Sequence, residues 1–374
     1  MKAAQLTTSG DYFTHYLIDD HETWEKEIRI HEGLSLERLE YRDVADPVPG
    51  PGEVLVEVGG CGLNHLDVWA VQCPPSHRRP EPRIPGADIA GTVKSVGEDV
   101  TAVGHGDRVI LHPSLPCLNC NFCLTGRDNL CQSKGGLGGS HDGGLAEYTL
   151  VPQWNAVPLP DSISLVDAAS LPIVFLTTWH MLVARAKVSP GDTVLVNAAG
   201  SGVGIAAIQI AGLFGARVLA SAGSEPKLQK ARELGADEVI NYTTHSLHDE
   251  AMKLTDGRGV DIVIDSLSGD LMEQSVEALA PGGRLINCGC TLGNWARINV
   301  GRMLMKETSV MGSVMGTKYE LLEILRLVGE GKLRAVVDRV FPLSQAREAV
   351  AYLADRKQFG KVVVVPDSHY PPGE

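Results

Sequence analysis

"DTVLVNAAGSGVGIAAIQIAGLFGA", Asp192 to Ala216, is the stretch that decides the fold. Val194–Asn197 read as a strand. Gly200, Gly202 and Gly204 then crowd a turn, with Ser201 and Val203 between them, and a helix of small residues begins near Val203. Missing side chains let the backbone approach a pyrophosphate. The helix N-terminus adds N–H donors and a partial positive charge. The spacing departs from strict G-x-G-x-x-G, so the motif draws its weight from the strand before it and the helix after it.

Working outward, "RVLASAG", "DEVINY", "VDIVIDSL" and "GRLINCGC" read as further strands, with helical stretches such as "EPKLQKARELGA" and "DLMEQSVEALA" between them. Strands alternating with helices describe an α/β, doubly wound parallel sheet. Upstream of Pro190 the texture differs. "PGPGEVLVEVGGCGLNHLDVWAV" and "ADIAGTVKSVGEDVTAVGHGDRVILHP" carry short strands separated by Gly/Asp turns, the pattern of a compact β-rich domain. The last segment ends in "KVVVVP", a strand expected to pair back onto the first domain. The expected organisation is therefore 1–165, 166–313 and a returning 314–374.

At 374 residues the chain is long enough for two cores, and its 44% hydrophobic and 21% charged content is ordinary for a globular enzyme. The formal charge of -13 argues against a nucleic-acid or anionic-membrane partner. "MKAAQLTTSGDYF" has no apolar core of the kind a signal peptide carries. No apolar run approaches the ~20 residues that span a bilayer. The expectation is a cytoplasmic protein with reduced thiols.

Four of the eight cysteines fall in "CLNCNFCLTGRDNLC": Cys117, Cys120, Cys123 and Cys131. Reduced and clustered, four thiolates make the tetrahedral ligand set of a closed structural zinc site. An iron–sulfur cluster would favour C-x2-C-x2-C-x3-C followed by Pro, whereas here the last gap is longer and Gln132 follows. Four thiolates leave no open position for substrate. A zinc here is a staple.

Nicotinamide cofactors are told apart at the end of the second strand, where NAD sites place an Asp or Glu on the ribose hydroxyls. This strand runs into Ser221, Ala222, Gly223, Ser224, Glu225 and Lys227. No carboxylate sits at the expected place, and the Ser224 hydroxyl and Lys227 amine lie within reach of a 2′-phosphate. NADPH is favoured, with Glu225 read as a first-turn helix charge.

The order of parts resembles the medium-chain dehydrogenase/reductase superfamily, on "PGPGEVLV", "GDRV", "GSGVG" and "GADEVINY", from about Leu36 to Val365. The resemblance implies a GroES-like catalytic domain, a Rossmann coenzyme domain and an active site in the cleft between them. Zinc-dependent members carry catalytic ligands in a "GVCHSD"-like loop, a "GHE" and a later cysteine. The matching positions here hold Asn64, Ala87 and Val174, none of them a usual zinc ligand. Cys61, His65 and Asp88 are the nearby candidates for a substitute set. The pattern is similar to the zinc-independent quinone-oxidoreductase branch, which reduces quinones or the activated C=C of enones and enoyl groups. It further implies that Gly223, Lys227 and Tyr242 meet the adenosine 2′-phosphate. Where that branch often has a tyrosine, this chain has Trp69.

The expected chemistry is hydride transfer from NADPH to an electrophilic carbon of a small, apolar, carbonyl-containing substrate; the alternatives are a zinc-type alcohol or aldehyde dehydrogenase with shifted ligands and an NADPH-binding module without catalysis. Asn64 is expected to donate to the substrate oxygen, and His65 or solvent to protonate the enolate. Asp67 is expected to orient the loop, and Thr177 to touch the nicotinamide. His180 reads as a packed histidine. Trp69, Val174 and Phe175 supply apolar bulk. A homodimer or homotetramer is the expected assembly. An aromatic insertion, 9–33, carries Tyr12, Phe13, Tyr16 and Trp24 and reads as an ordered element.

Overall fold

Glycines decide how the first unit packs. In β3 (Glu53–Gly62), a Cβ on Gly59 would lie 2.3 Å from Leu165 Cδ1, and one on Gly62 would lie 2.2 Å from the Ala169 carbonyl. Bare backbone is what lets the short helix α2 (Leu165–Ala169) lie directly on this strand. The computed structural model describes residues 1–7, 9–10, 35–72, 78–79 and 82–370. The aromatic insertion, apart from Ser9 and Gly10, lies outside the described residues.

This unit comprises 1–173 and 321–374. β1 (Lys2–Leu6) pairs antiparallel with β2 (Leu39–Asp43). β3 is flanked by β4 (Asp88–Val96), which runs on to β5 (Arg108–Leu111). β6 (Tyr148–Pro152) also pairs with β3, and β7 (Ala156–Pro158) with β5. Helix α1 (His65–Gln72) follows β3 directly. The core is built from valines, leucines and isoleucines of these strands, with Val68 and Val71 of α1 packed into it.

The second unit, 174–320, is a six-stranded parallel sheet. Its strands are β8 (Thr193–Val196), β9 (Arg217–Ala222), β10 (Glu238–Asn241), β11 (Val260–Asp265), β12 (Leu279–Asn287) and β13 (Ser309–Gly312). They lie in the order β10-β9-β8-β11-β12-β13, so the order reverses between β8 and β11. Helix α3 (Pro172–Trp179) precedes the sheet and α4 (Gly202–Leu213) follows β8. Ser201 caps α4, its Oγ accepting from the Gly204 N–H at 2.9 Å. A Cβ on Gly204 would sit 2.3 Å from the Ala198 carbonyl, so only glycine lets α4 rise this closely off β8. α5 (Glu225–Leu234) and α7 (Gly269–Glu277) continue the α/β alternation, with α6 (Leu247–Leu254) between them.

The chain then returns to the first unit. β14 (Val337–Pro342) pairs parallel with β15 (Lys361–Val365), and β15 pairs antiparallel with β3, as the sequence leads one to expect of "KVVVVP". The units divide after Ile173 and Glu320, several residues beyond the 165 and 313 boundaries read from composition. Both shifts fall inside elements, which texture alone does not mark.

Candidate functional site

The cysteine lobe is built from tight turns. Leu118 and Gly126 both take left-handed backbone (φ 59° and 71°), and Cys120 stands at the start of a one-turn helix, Asn121–Leu124. These turns bring the Sγ atoms of Cys117, Cys120, Cys123 and Cys131 within 4.8 Å of one another. Cys120 and Cys123 are 3.5 Å apart, and Cys117 and Cys123 4.0 Å. Zinc at about 2.3 Å from four sulfurs needs S–S edges of about 3.8 Å. The lobe fits zinc. Among the described residues, no other group of three or more His, Cys, Asp or Glu side chains is placed to share an ion.

Around Asn64 and Asp88, the latter next to Ala87, a lysine ammonium sits where catalytic zinc ligands would be matched. Lys361, at the start of β15 and 2% exposed, donates to the Leu63 carbonyl at 2.7 Å, Asn64 Oδ1 at 2.7 Å and Asp88 Oδ2 at 2.9 Å. All three ammonium hydrogens are used. Asp88 is fully buried, and its other oxygen accepts from the Ile173 N–H at 2.8 Å, one residue before Val174. Asn64 Nδ2 donates to Asp88 Oδ2 at 2.9 Å and to the Gly62 carbonyl at 3.3 Å. Sequence alone leaves the Asn64 amide free, whereas here both its hydrogens are engaged, the Gly62 bond being the longer. Sequence reasoning also misses Lys361. The available signal is a lysine leading a strand of four valines that has to be buried, which demands an anionic partner inside.

Asp67 joins the backbone of two loops. Its Oδ2 accepts from the Asn64 N–H at 2.8 Å and its Oδ1 from the Gly86 N–H at 2.9 Å, so one carboxylate holds the backbone of both loops. Burial raises it to about 6. Burial, with Arg356 adding, lowers the neighbouring His65 to about 4, and its ring lies edge-on to Trp69 at 5.9 Å. His65 is therefore neutral at pH 7. Cys61 lies under Gly86, and burial raises its thiol well above the usual range. With Asp88 held by Lys361, the set Cys61, His65 and Asp88 is not arranged as metal ligands.

These two shifts oppose each other. Asp67 favours the folded state below about pH 4 and loses that contribution as pH rises through about 6. His65 contributes above about pH 6.5 and loses its contribution as pH falls through about 4. His65→Gln removes the acid-side loss, so the variant should gain about 2–3 kcal/mol on wild type between pH 6.5 and 4.5. Amide exchange in α1 at matched pH measures this. A difference independent of pH would contradict the assignment.

In the parallel-sheet unit, Gly200–Gly204 form the turn at the N-terminus of α4, at the point where strand order reverses. β9 ends at Ala222, and a Cβ on Gly223 would lie 3.2 Å from the Tyr242 ring and 3.3 Å from Thr243 Cγ2. Ser224 opens α5 without capping it, and Lys227 lies in the first turn of that helix. Glu225 pairs with Arg232 at 3.2 Å, as a helix-surface charge. The cradle fits a dinucleotide, with no carboxylate among Ser221–Ser224. Thr177 is buried, its Oγ1 3.9 Å from Met315 Sδ. Val174 and Phe175 are buried too. His180 Nδ1 lies 2.9 Å from Glu320 Oε1, and Glu320 also accepts from the Thr317 N–H.

A glycine-cradled parallel sheet in one chain with a β-rich unit bearing a four-cysteine lobe defines a dinucleotide-linked oxidoreductase. Known proteins agree. Residues 50–161 match the alcohol dehydrogenase GroES-like domain, and residues 202–330 match the zinc-binding dehydrogenase family. Quinone oxidoreductase-like protein 2 of Bos taurus is 33% identical over 84% of this chain and 85% of its own length. The NAD-dependent alcohol dehydrogenase of Sulfurisphaera tokodaii is 32% identical over 88% of this chain and 96% of its own. A crystal structure of an NAD-dependent alcohol dehydrogenase superposes with a TM-score of 0.87 at 41% identity, covering 98% of this chain and 99% of that one. The chain belongs to the medium-chain dehydrogenase/reductase superfamily and is an oxidoreductase of that type. No helix among the described residues is long and apolar enough to cross a membrane.

Proposed function

We propose that this chain is an NADPH-dependent reductase, free of catalytic metal, acting on the activated C=C of an enone, enal or enoyl group, or on a quinone. One structural zinc would sit on Cys117, Cys120, Cys123 and Cys131. The observation that carries this reading is the Lys361 ammonium, which occupies the oxygens around Asn64 and Asp88. A dication placed beside it would meet like charge and committed lone pairs. The relatives named alcohol dehydrogenases favour a second reading, a metal-dependent alcohol or aldehyde enzyme. It would need ligands where this chain has Asn64, Ala87 and Val174.

When bound, the reduced nicotinamide supplies the hydride. The chain's own residues then meet the charge that develops on the substrate oxygen. Asn64 is the donor in this reading, turning its longer, 3.3 Å hydrogen from Gly62 toward that oxygen. Lys361, hydrogen-bonded to Asn64 Oδ1, draws charge from the amide and strengthens its N–H donors. Asp67 keeps the Asn64 backbone in place. His65, neutral at pH 7, relays a proton from solvent and does not arrive charged. Thr177 is assigned to the nicotinamide side. Asn64→Ala should lower kcat and kcat/KM together, on the order of 10²-fold, with NADPH affinity little changed. Near-normal turnover would pass the role to another donor.

NADPH is favoured over NADH because Ser221–Ser224 bring no carboxylate and Glu225 is paired with Arg232. Lys227→Ala should weaken NADPH by about 1.5–3 kcal/mol and leave NADH alone. Titration of both cofactors decides this, and equal loss would remove Lys227 from the phosphate. For the reaction, NADPH consumption is followed with enals, enones, enoyl thioesters and quinones, and with saturated aldehydes as the comparison. Turnover confined to saturated aldehydes would overturn the reading.

A further inference from the structure

Open parallel sheets bind ligands outside the carboxyl ends of their strands where strand order reverses, here between β8 and β11. One hydrogen-bonded row of polar side chains runs across those ends. Ser221, near the end of β9, donates from Oγ to Asn197 Oδ1 at 3.1 Å. Asn197, just past β8, donates from Nδ2 to Asp265 Oδ1 at 3.1 Å and to Ser275 Oγ at 2.9 Å. Asp265, the last residue of β11, also accepts on Oδ2 from Asn287 Nδ2 at 2.7 Å and from the Ser268 N–H at 2.9 Å. Asn287 ends β12 and donates again to the Gly289 carbonyl at 2.8 Å.

Asp265 is fully buried, and the donors it meets are two amides and a backbone N–H. A buried carboxylate held this way carries a desolvation cost that an apolar residue would avoid. The geometry around it is specific. Ser268 is held at φ 62°, ψ -160°, a region almost reserved for glycine, by its bond to Asp265. The loops after β11 and β12 are laced together: Leu292 N–H donates to the Leu267 carbonyl at 2.8 Å and Thr291 Oγ1 to the Ser266 carbonyl at 3.0 Å.

A dinucleotide lies across the reversal with one mononucleotide half on each side. Under the cofactor reading above, on which this inference rests, the adenosine half lies toward Gly223, Lys227 and Tyr242. The nicotinamide half then lies over the ends of β11 and β12. We propose that Asp265 is a positioning residue that sets the 266–268 and 288–292 loops for the nicotinamide half and couples them, through Asn197, to the end of β8.

Asp265→Asn tests this, because it turns one acceptor oxygen into an NH2 group facing existing donors. Two ligands are titrated calorimetrically: NADPH, and 2′,5′-ADP, which carries only the adenosine half. NADPH affinity should fall by about tenfold to a hundredfold while 2′,5′-ADP affinity holds, which also shows that the sheet is folded. Asn287→Ala, removing one donor from a half-buried position, should move the ratio the same way by a smaller factor. Equal loss of both ligands, or no loss of NADPH, would overturn the positioning role. Wild-type protein binding neither ligand would overturn the cofactor reading, and this inference with it.

Discussion

Lys361→Met should cost about 3–5 kcal/mol of stability, the usual penalty for removing one partner of a buried ion pair. Asp88 is fully buried and would be left without its cation, and the Leu63 carbonyl and Asn64 Oδ1 would each lose a donor at 2.7 Å. Two folding units make a single unfolding curve ambiguous, so amide exchange in α1 and β15 is the better readout. The cycle with Asp88→Asn isolates the pair. Once position 88 carries no charge, removing Lys361 should cost far less, while the amide oxygen introduced there can still accept from the Ile173 N–H. Turnover should fall in Lys361→Met because Asn64 loses its support, and NADPH affinity should stay. A cost below about 1 kcal/mol would mean that Lys361 does not hold this site together.

Cys120→Ser should abolish zinc binding and loosen the 117–131 lobe. Structural zinc contributes folding free energy directly, with apparent values of about 10–16 kcal/mol in small zinc domains. In this chain the hydrophobic core of the first unit does not depend on the lobe. The expected result is local: trypsin should cut at the exposed Arg127 in the variant and spare it in wild type. The rate per folded chain should change little, because four thiolates leave no position for substrate. A variant that keeps its zinc would remove Cys120 from the ligand set.

The fold was legible because its strongest signals are local. A strand running into Gly200–Gly204 and a helix of small residues leaves few alternatives, and the β/α alternation after it repeats the message. Four cysteines in fifteen residues announce their own juxtaposition. Lys361 and Asp265 were not legible, because what defines each is a partner far away in sequence. Lys361 acquires meaning from Asp88 and Asn64, which β4 and the loop after β3 deliver beside β15. Asp265 reads as the polar end of an apolar strand until Asn197, just past β8, and Asn287, at the end of β12, are seen beside it. Asn64 shows the converse. Its match to a ligand position of the zinc-dependent members is readable in the sequence, but its hydrogen-bond partners are not.

Hydride transfer without a catalytic metal is the central claim, and metal content measured on actively turning-over protein tests it most directly. Elemental analysis should find one zinc per chain in wild type and none in Cys120→Ser, with reduction of an enone or quinone persisting in both. A second zinc in wild type, or activity that disappears with the metal while the chain stays folded, would contradict the account.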